Sequence, residues 1–213
     1  MKTDDLIATL SAAAPVVGEG QTERRFLALL LAGCVLATLA TIVFLGPRPD
    51  LAAATGLPMF WVKLAFPASL MVMAALMLWR LGHPGVRLRR TPIALAIPVA
   101  VMWILALHSL WVAPGGTRVA LLLGSTWTEC VVNVFLLSLP AGVLAFAAAR
   151  GLAPTRLVLA GAMAGLFAGS AGALAYALHC PELEAPFLGV WYLLGMLVPA
   201  GLCSLLGRSL LRW

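Results

Sequence analysis

The chain is short of nearly everything that enzymes and soluble domains depend on. Only 10% of its 213 residues are charged, and its reactive side chains amount to 3 His, 4 Cys and 2 Tyr. Its apolar stretches carry no chain of Asp or Glu, no paired carboxylates, no HExxH and no CxxC. Proton relays, zinc hydrolysis and thioredoxin-like exchange therefore lack their usual donors. Asn133 and scattered Ser and Thr are thin provision for a solute path near a bilayer midplane. A thiol oxidoreductase passing electrons to a quinone, or a small metal or solute transporter, remain open readings at this point.

What is present is hydrocarbon. The chain is 62% hydrophobic with a mean hydropathy of +1.03, well beyond a soluble domain. Apolar runs at 26–46, 60–81, 92–113, 128–149, 155–178 and 187–207 each have about the 20 residues a helix needs to cross a ~30 Å hydrocarbon core. The expectation is an all-α polytopic membrane protein of six transmembrane helices with a short helical tail before them. The chain then divides into a tail, residues 1–25, and a transmembrane domain, residues 26–213.

The basic residues orient it. With the N-terminus in the cytoplasm, Lys2, Arg24, Arg25, Arg80, Arg87, Arg89, Arg90, Arg150, Arg156, Arg208 and Arg212 lie inside, and only Arg48, Lys63 and Arg118 outside. This bias follows the positive-inside rule and makes both termini cytoplasmic. The net charge of +6 is thereby a topology signal and not a nucleic-acid footprint. The lipoprotein-like "RRFLALLLAGC" is a decoy, because the apolar run continues past Cys34 to full spanning length.

Three features stand out from the apolar background. Gly161, Gly165, Gly169 and Ala173 recur every four residues, a small-residue ridge that lets a neighbouring helix approach. Pro67, Pro98, Pro140 and Pro199 lie inside spans as possible kinks. The tail opens "MKTDDLIATLSAAA", where Thr3 caps a helix, Asp4 and Asp5 favour its positive end, and Leu6, Ile7 and Leu10 form an apolar face. So short a helix is marginal in water, which predicts ordering against a partner.

The one concentration of chemistry is "HCPELEAP", His179 to Pro186. Cys130 begins the fourth span and Cys180 ends the fifth, so both belong at the outer face, differing in height by about 9 Å at 1.5 Å per residue. Fraying before Pro181 would close that gap; a disulfide needs Cα atoms within about 7 Å. His179 would favour a thiolate at Cys180, and Glu129 disfavour one at Cys130. Two soft sulfurs there suit a redox switch, a soft metal ion, or a permanent structural clamp. Cys34 and Cys203 lie within spans as small apolar residues. Lys63 is expected to snorkel outward or pair with Glu129, His108 to be hydrogen-bonded, and His83 to be solvated.

The opening "DDLIATLSA", the block "GSTWTECVVNVFLLSLPAGVLA", the block "RGLAPTRLVLAGAMAGLFAGSAGALAYALHCPE", the segment "WYLLGM" and the terminal "GRSLLRW" together resemble the NrsF-type family, negative regulators of sigma factor F. The resemblance implies an inner-membrane anti-sigma factor, not an enzyme, without a cofactor. It implies that the tail holds an extracytoplasmic-function sigma factor away from RNA polymerase. It also implies that the outer pair, Cys130 and Cys180, senses oxidative or heavy-metal stress, a bound metal resting on the same two sulfurs. The tail residues expected to touch the sigma factor are Asp4, Asp5, Leu6, Ile7 and Leu10. Beyond that partner the expectations are the lipid bilayer and no direct nucleic-acid contact.

Overall fold

The computed structural model describes residues 20–83 and 91–212, with only the backbone at 91 and 92, and in the tail Thr3, Asp5, Ile7 and Thr9. Among the described residues there is helix and no strand. Among the described residues, six helices are long and apolar enough to cross a membrane. In chain order these spans are Gln21–Leu45, Pro58–Leu81, Ile93–Val112, a helical stretch within Gly115–Arg150 whose main helix is Trp127–Arg150, Leu157–Tyr176 and Ala185–Leu210.

Local chemistry sets their ends. The first span finishes in a π-helical turn, Thr41–Leu45, where the Thr41 hydroxyl donates to Ala37 O at 3.0 Å and Gly46 N reaches Thr41 O at 3.0 Å. Gly46, at φ 74°, then turns the chain out of the helix, a conformation that suits a residue without Cβ. Pro58 opens the second span, where its missing N–H is no loss. The helices run on through Pro67, Pro98, Pro140 and Pro199.

The fifth span is the hub. It is buried on nearly every face and packs against the second, fourth and sixth spans. The predicted ridge makes this possible: Gly161 faces the Cys203 carbonyl, Gly165 the Pro199 carbonyl and Gly169 Met196, all on the sixth span, so closely that a Cβ would collide with backbone. On another face Gly172 meets Val134 and Ser138 of the fourth span. The third span lies at the rim, with Ile93, Ile104, Leu107 and Trp111 exposed.

The ends of the spans are fixed relative to one another. Gln21 and Arg25 share a cavity of about 310 Å³ with Ala147 and Gly151, and Arg150 Nε donates to Leu210 O at 2.6 Å. The start of the first span and the ends of the fourth and sixth therefore lie together. We call this the terminal end, and the opposite one the distal end.

Several expectations are corrected in detail. The expected loop 114–127 holds a helix, Arg118–Leu123, ended by Gly124 at φ 58°, and the loop 47–59 holds a turn of helix at Leu51–Ala54. The fifth span stops at Tyr176 and not at 178, because Pro181 follows closely. Cys34 is only half-buried, its Sγ 3.7 Å from Met71 Sδ. His83 is not simply solvated: its Nδ1 donates to Trp79 O at 2.8 Å and its ring packs on that indole. His108 is exposed on the third span and has no hydrogen-bond partner among the described residues.

Candidate functional site

The distal end is organised around residues 178–184. Between Tyr176 and Ala185 the chain leaves the helix, so the carbonyls of Cys180, Pro181 and Glu182 have no helical N–H to accept from. Buried carbonyls need partners, and two cations supply them.

Lys63, on the second span, is 1% exposed. Its ammonium donates to Cys180 O at 2.6 Å and Glu182 O at 2.8 Å, and stands 5.4 Å from the centre of the Tyr192 ring. Two carbonyls and a π face thus replace the hydration of a charge that an apolar bundle would otherwise reject. This corrects the expectation of snorkelling or pairing with Glu129, whose side chain is exposed.

Arg48 comes from the loop after the first span. It grips Asp50 with two bonds, Nε to Oδ1 and Nη2 to Oδ2, each 2.6 Å. Its Nη1 lies 3.4 Å from Pro181 O and 3.5 Å from Cys180 O, and its backbone N donates to Leu178 O at 3.0 Å. The hydrogen bonds from Arg48 hold the Asp50 carboxyl below the usual carboxylate range, and the same bonds raise the Arg48 guanidinium. His179 completes this docking: its Nδ1 lies 2.9 Å from Gly46 O, and since a carbonyl only accepts, that nitrogen carries the proton.

The third distal loop is tied on through Glu182. Its Oε1 accepts from Ser125 N at 2.7 Å and Ser125 Oγ at 2.6 Å. Gly124 allows this approach, since a Cβ there would overlap the Glu182 carboxyl group. Trp191 Nε1 donates to Leu122 O at 2.9 Å, fastening the helix Arg118–Leu123 to the sixth span.

Beneath these straps lie Cys130 and Cys180, both 0% exposed and both free thiols. Lys63 sits over this end of the fifth span, its ammonium on the Cys180 carbonyl. Tyr192, on the π-helical turn Leu188–Tyr192, is wholly buried, and its hydroxyl has no hydrogen-bond partner among the described residues. The thiol within "HCPELEAP" is thus buried, not open to solvent.

Cys130, Cys180 and His179, expected at one face, stand together at the distal end. His179, expected to tune the thiol, is bonded through its ring to Gly46 O. Glu129, expected to support the pair, is exposed, and Glu182 instead ties Ser125 to the site. Lys63, Arg48, Ser125 and Tyr192 were missed as parts of the site. The signal available for Lys63 was a lone ammonium inside an apolar run. Among the described residues no group of three or more His, Cys, Asp and Glu side chains gathers as a metal site. In the tail, Asp5 and Ile7 are helical and exposed; Asp4, Leu6 and Leu10 lie outside the described residues.

Residues 10–213 match the family described as NrsF, negative regulator of sigma F. Over the full length of both chains the sequence is 44% identical to the "Probable anti-sigma-F factor NrsF" of Azospira oryzae. It is 38% identical, again over both full lengths, to the "Anti-sigma-F factor NrsF" of Caulobacter vibrioides. No solved structure matches. The chain belongs to the NrsF family of anti-sigma factors, whose role is regulatory and not enzymatic. The oxidoreductase alternative falls with that finding.

Proposed function

We propose that this protein is an inner-membrane anti-sigma factor that sequesters an extracytoplasmic-function sigma factor with its tail, residues 1–25. Release follows when Cys130 and Cys180 are oxidised or take up a soft metal ion. The observation that carries the reading is the full-length likeness to two proteins named as anti-sigma-F factors. The basic bias described above supports cytoplasmic termini, with the distal end in the periplasm.

In the tail, Leu6, Ile7 and Leu10 fill an apolar groove on the sigma factor while Asp4 and Asp5 meet its basic surface. The 59% exposure of Ile7 is consistent with a face awaiting a partner.

At the distal end the two thiols lose two electrons and two protons as they join. A peroxide accepts both and leaves as an alcohol and water. A soft metal ion instead displaces two protons and bridges the sulfurs. Either event draws Cys130, on the fourth span, against Cys180. The fourth span also touches the root of the tail: Gly33 of the first span packs on Ala141, and Arg25 shares a cavity with Ala147. A small displacement of the fourth span would thus reach the tail. Tenfold weaker sigma binding needs only about 1.4 kcal/mol of coupling.

The test is sigma retention under peroxide or cadmium by the wild type and by the Cys130→Ser, Cys180→Ser double variant. Release from the wild type alone supports the reading. Equal release from both would sink the sensing half.

A further inference from the structure

A groove of about 420 Å³ lies between the fourth and sixth spans, apart from the thiols and the tail. Its floor is made of small residues, Gly142, Ala168 and Cys203, and its walls include Phe135 and Leu210. Arg150 closes it at the terminal end. From Arg150 to Phe135 the fourth span rises about 22 Å, and from Leu210 to Pro199 the sixth rises about 16 Å, at 1.5 Å per residue. The groove therefore begins at one membrane surface and reaches past the midplane of a ~30 Å core along the fourth span, deep enough for one leaflet's acyl chain.

Arg150 is the charged residue lining the groove, and Glu23 opens the first span at the same end of the molecule. Arg150 uses Nε on Leu210 O, and its two terminal amino groups bond nothing among the described residues. Arg156, Arg208 and Arg212 lie at the same end of the fifth and sixth spans, and no Asp or Glu occurs between Glu129 and Glu182 or after Glu184. A guanidinium with two free donors matches a phosphate diester, and a cationic rim between helices suits an anionic headgroup.

The geometry points to a bound anionic phospholipid, one acyl chain lying in the groove over Gly142 and its phosphate on Arg150. This site is separate from the thiol pair and needs only the membrane reading given above. Gly142 is the natural probe, because a Cβ there meets only Ala168 Cβ, at 3.6 Å, an ordinary contact. Gly142→Leu therefore fills the groove without forcing the helices apart.

The test uses full-length protein taken from the membrane fraction in mild detergent. Retention of added phosphatidylglycerol is compared with phosphatidylethanolamine of the same chains by native mass spectrometry. The wild type should keep one phosphatidylglycerol in preference. Arg150→Gln should weaken that retention about fivefold, and Gly142→Leu should abolish it for both lipids. Equal retention of the two lipids, unchanged retention in both variants, or a second copy of the chain in place of lipid each overturns the site. Arg150→Gln alone decides it if Gly142→Leu does not fold. Absence of the protein from the membrane fraction is a failure of the membrane reading, and is seen before any lipid is added.

Discussion

The Lys63 ammonium lies 2.6 Å from the Cys180 carbonyl oxygen, joining the second span to the residue that carries one of the two distal thiols. A charge so buried is tolerated because the chain after Tyr176 leaves its carbonyls free to solvate it. The cation and the loop thus depend on each other.

Replacing Lys63 by Met should therefore leave the Glu182 carbonyl without its donor and the Cys180 carbonyl with only the longer bond from Arg48. We expect a loss of about 2 kcal/mol, the scale of orphaning buried acceptors. The thermal midpoint in detergent should fall by about 4–8 °C. Cys180 should also react faster with a maleimide; unchanged labelling would mean that Lys63 does not hold the loop.

The Arg48–Asp50 pair gives a pH dependence whose sign is fixed. The Asp50 carboxyl is held below its ordinary value by the hydrogen bonds from Arg48. A depressed carboxylate stabilises fully above the unfolded value of about 3.9 and loses that contribution as pH falls through the folded one. Amide exchange at Arg48, whose N–H donates to Leu178 O, should show unchanged protection from pH 7 to about 5. Protection should weaken below about 4. Asp50→Asn should remove this acid response while leaving the rest of the profile alone.

Two glycines should behave in opposite ways. Gly165→Ala drives a Cβ into the Pro199 carbonyl and the Ala200 backbone, and should destabilise by about 1–3 kcal/mol. Gly201→Ala, with nothing within 4 Å, should be neutral or stabilise by up to about 1 kcal/mol. Similar midpoints for the two would contradict the close packing of the fifth and sixth spans.

Among the thiols only the distal pair should matter to sensing. Cys34→Ser and Cys203→Ser should release sigma under peroxide as the wild type does. Cys130→Ser alone should retain it, since a disulfide or a two-sulfur metal site needs both partners. Release unaltered by Cys130→Ser would shift attention to another trigger.

Much of the bundle was legible because its signals are local. Length and hydropathy mark the six spans, and the four-residue spacing of Gly161, Gly165 and Gly169 marks the surface that meets the sixth span. The site was half legible. Cys130 and Cys180 could be placed at one end by counting residues along antiparallel helices. Lys63, Arg48 and Ser125 could not be joined to them, because their partners are backbone carbonyls or a carboxylate 57 to 133 residues away in sequence. No residue type advertises a free carbonyl. The short helix Arg118–Leu123 was hidden for a different reason: its apolar face is too brief for a periodic pattern to rise above the loop around it.

The most direct measurement is co-purification of the full-length protein from its own cells beside a version lacking residues 1–11, with the retained proteins identified by mass spectrometry. The account predicts a sigma factor held by the intact chain and lost with the tail. A sigma factor held equally by both, or by neither even after crosslinking, would contradict it.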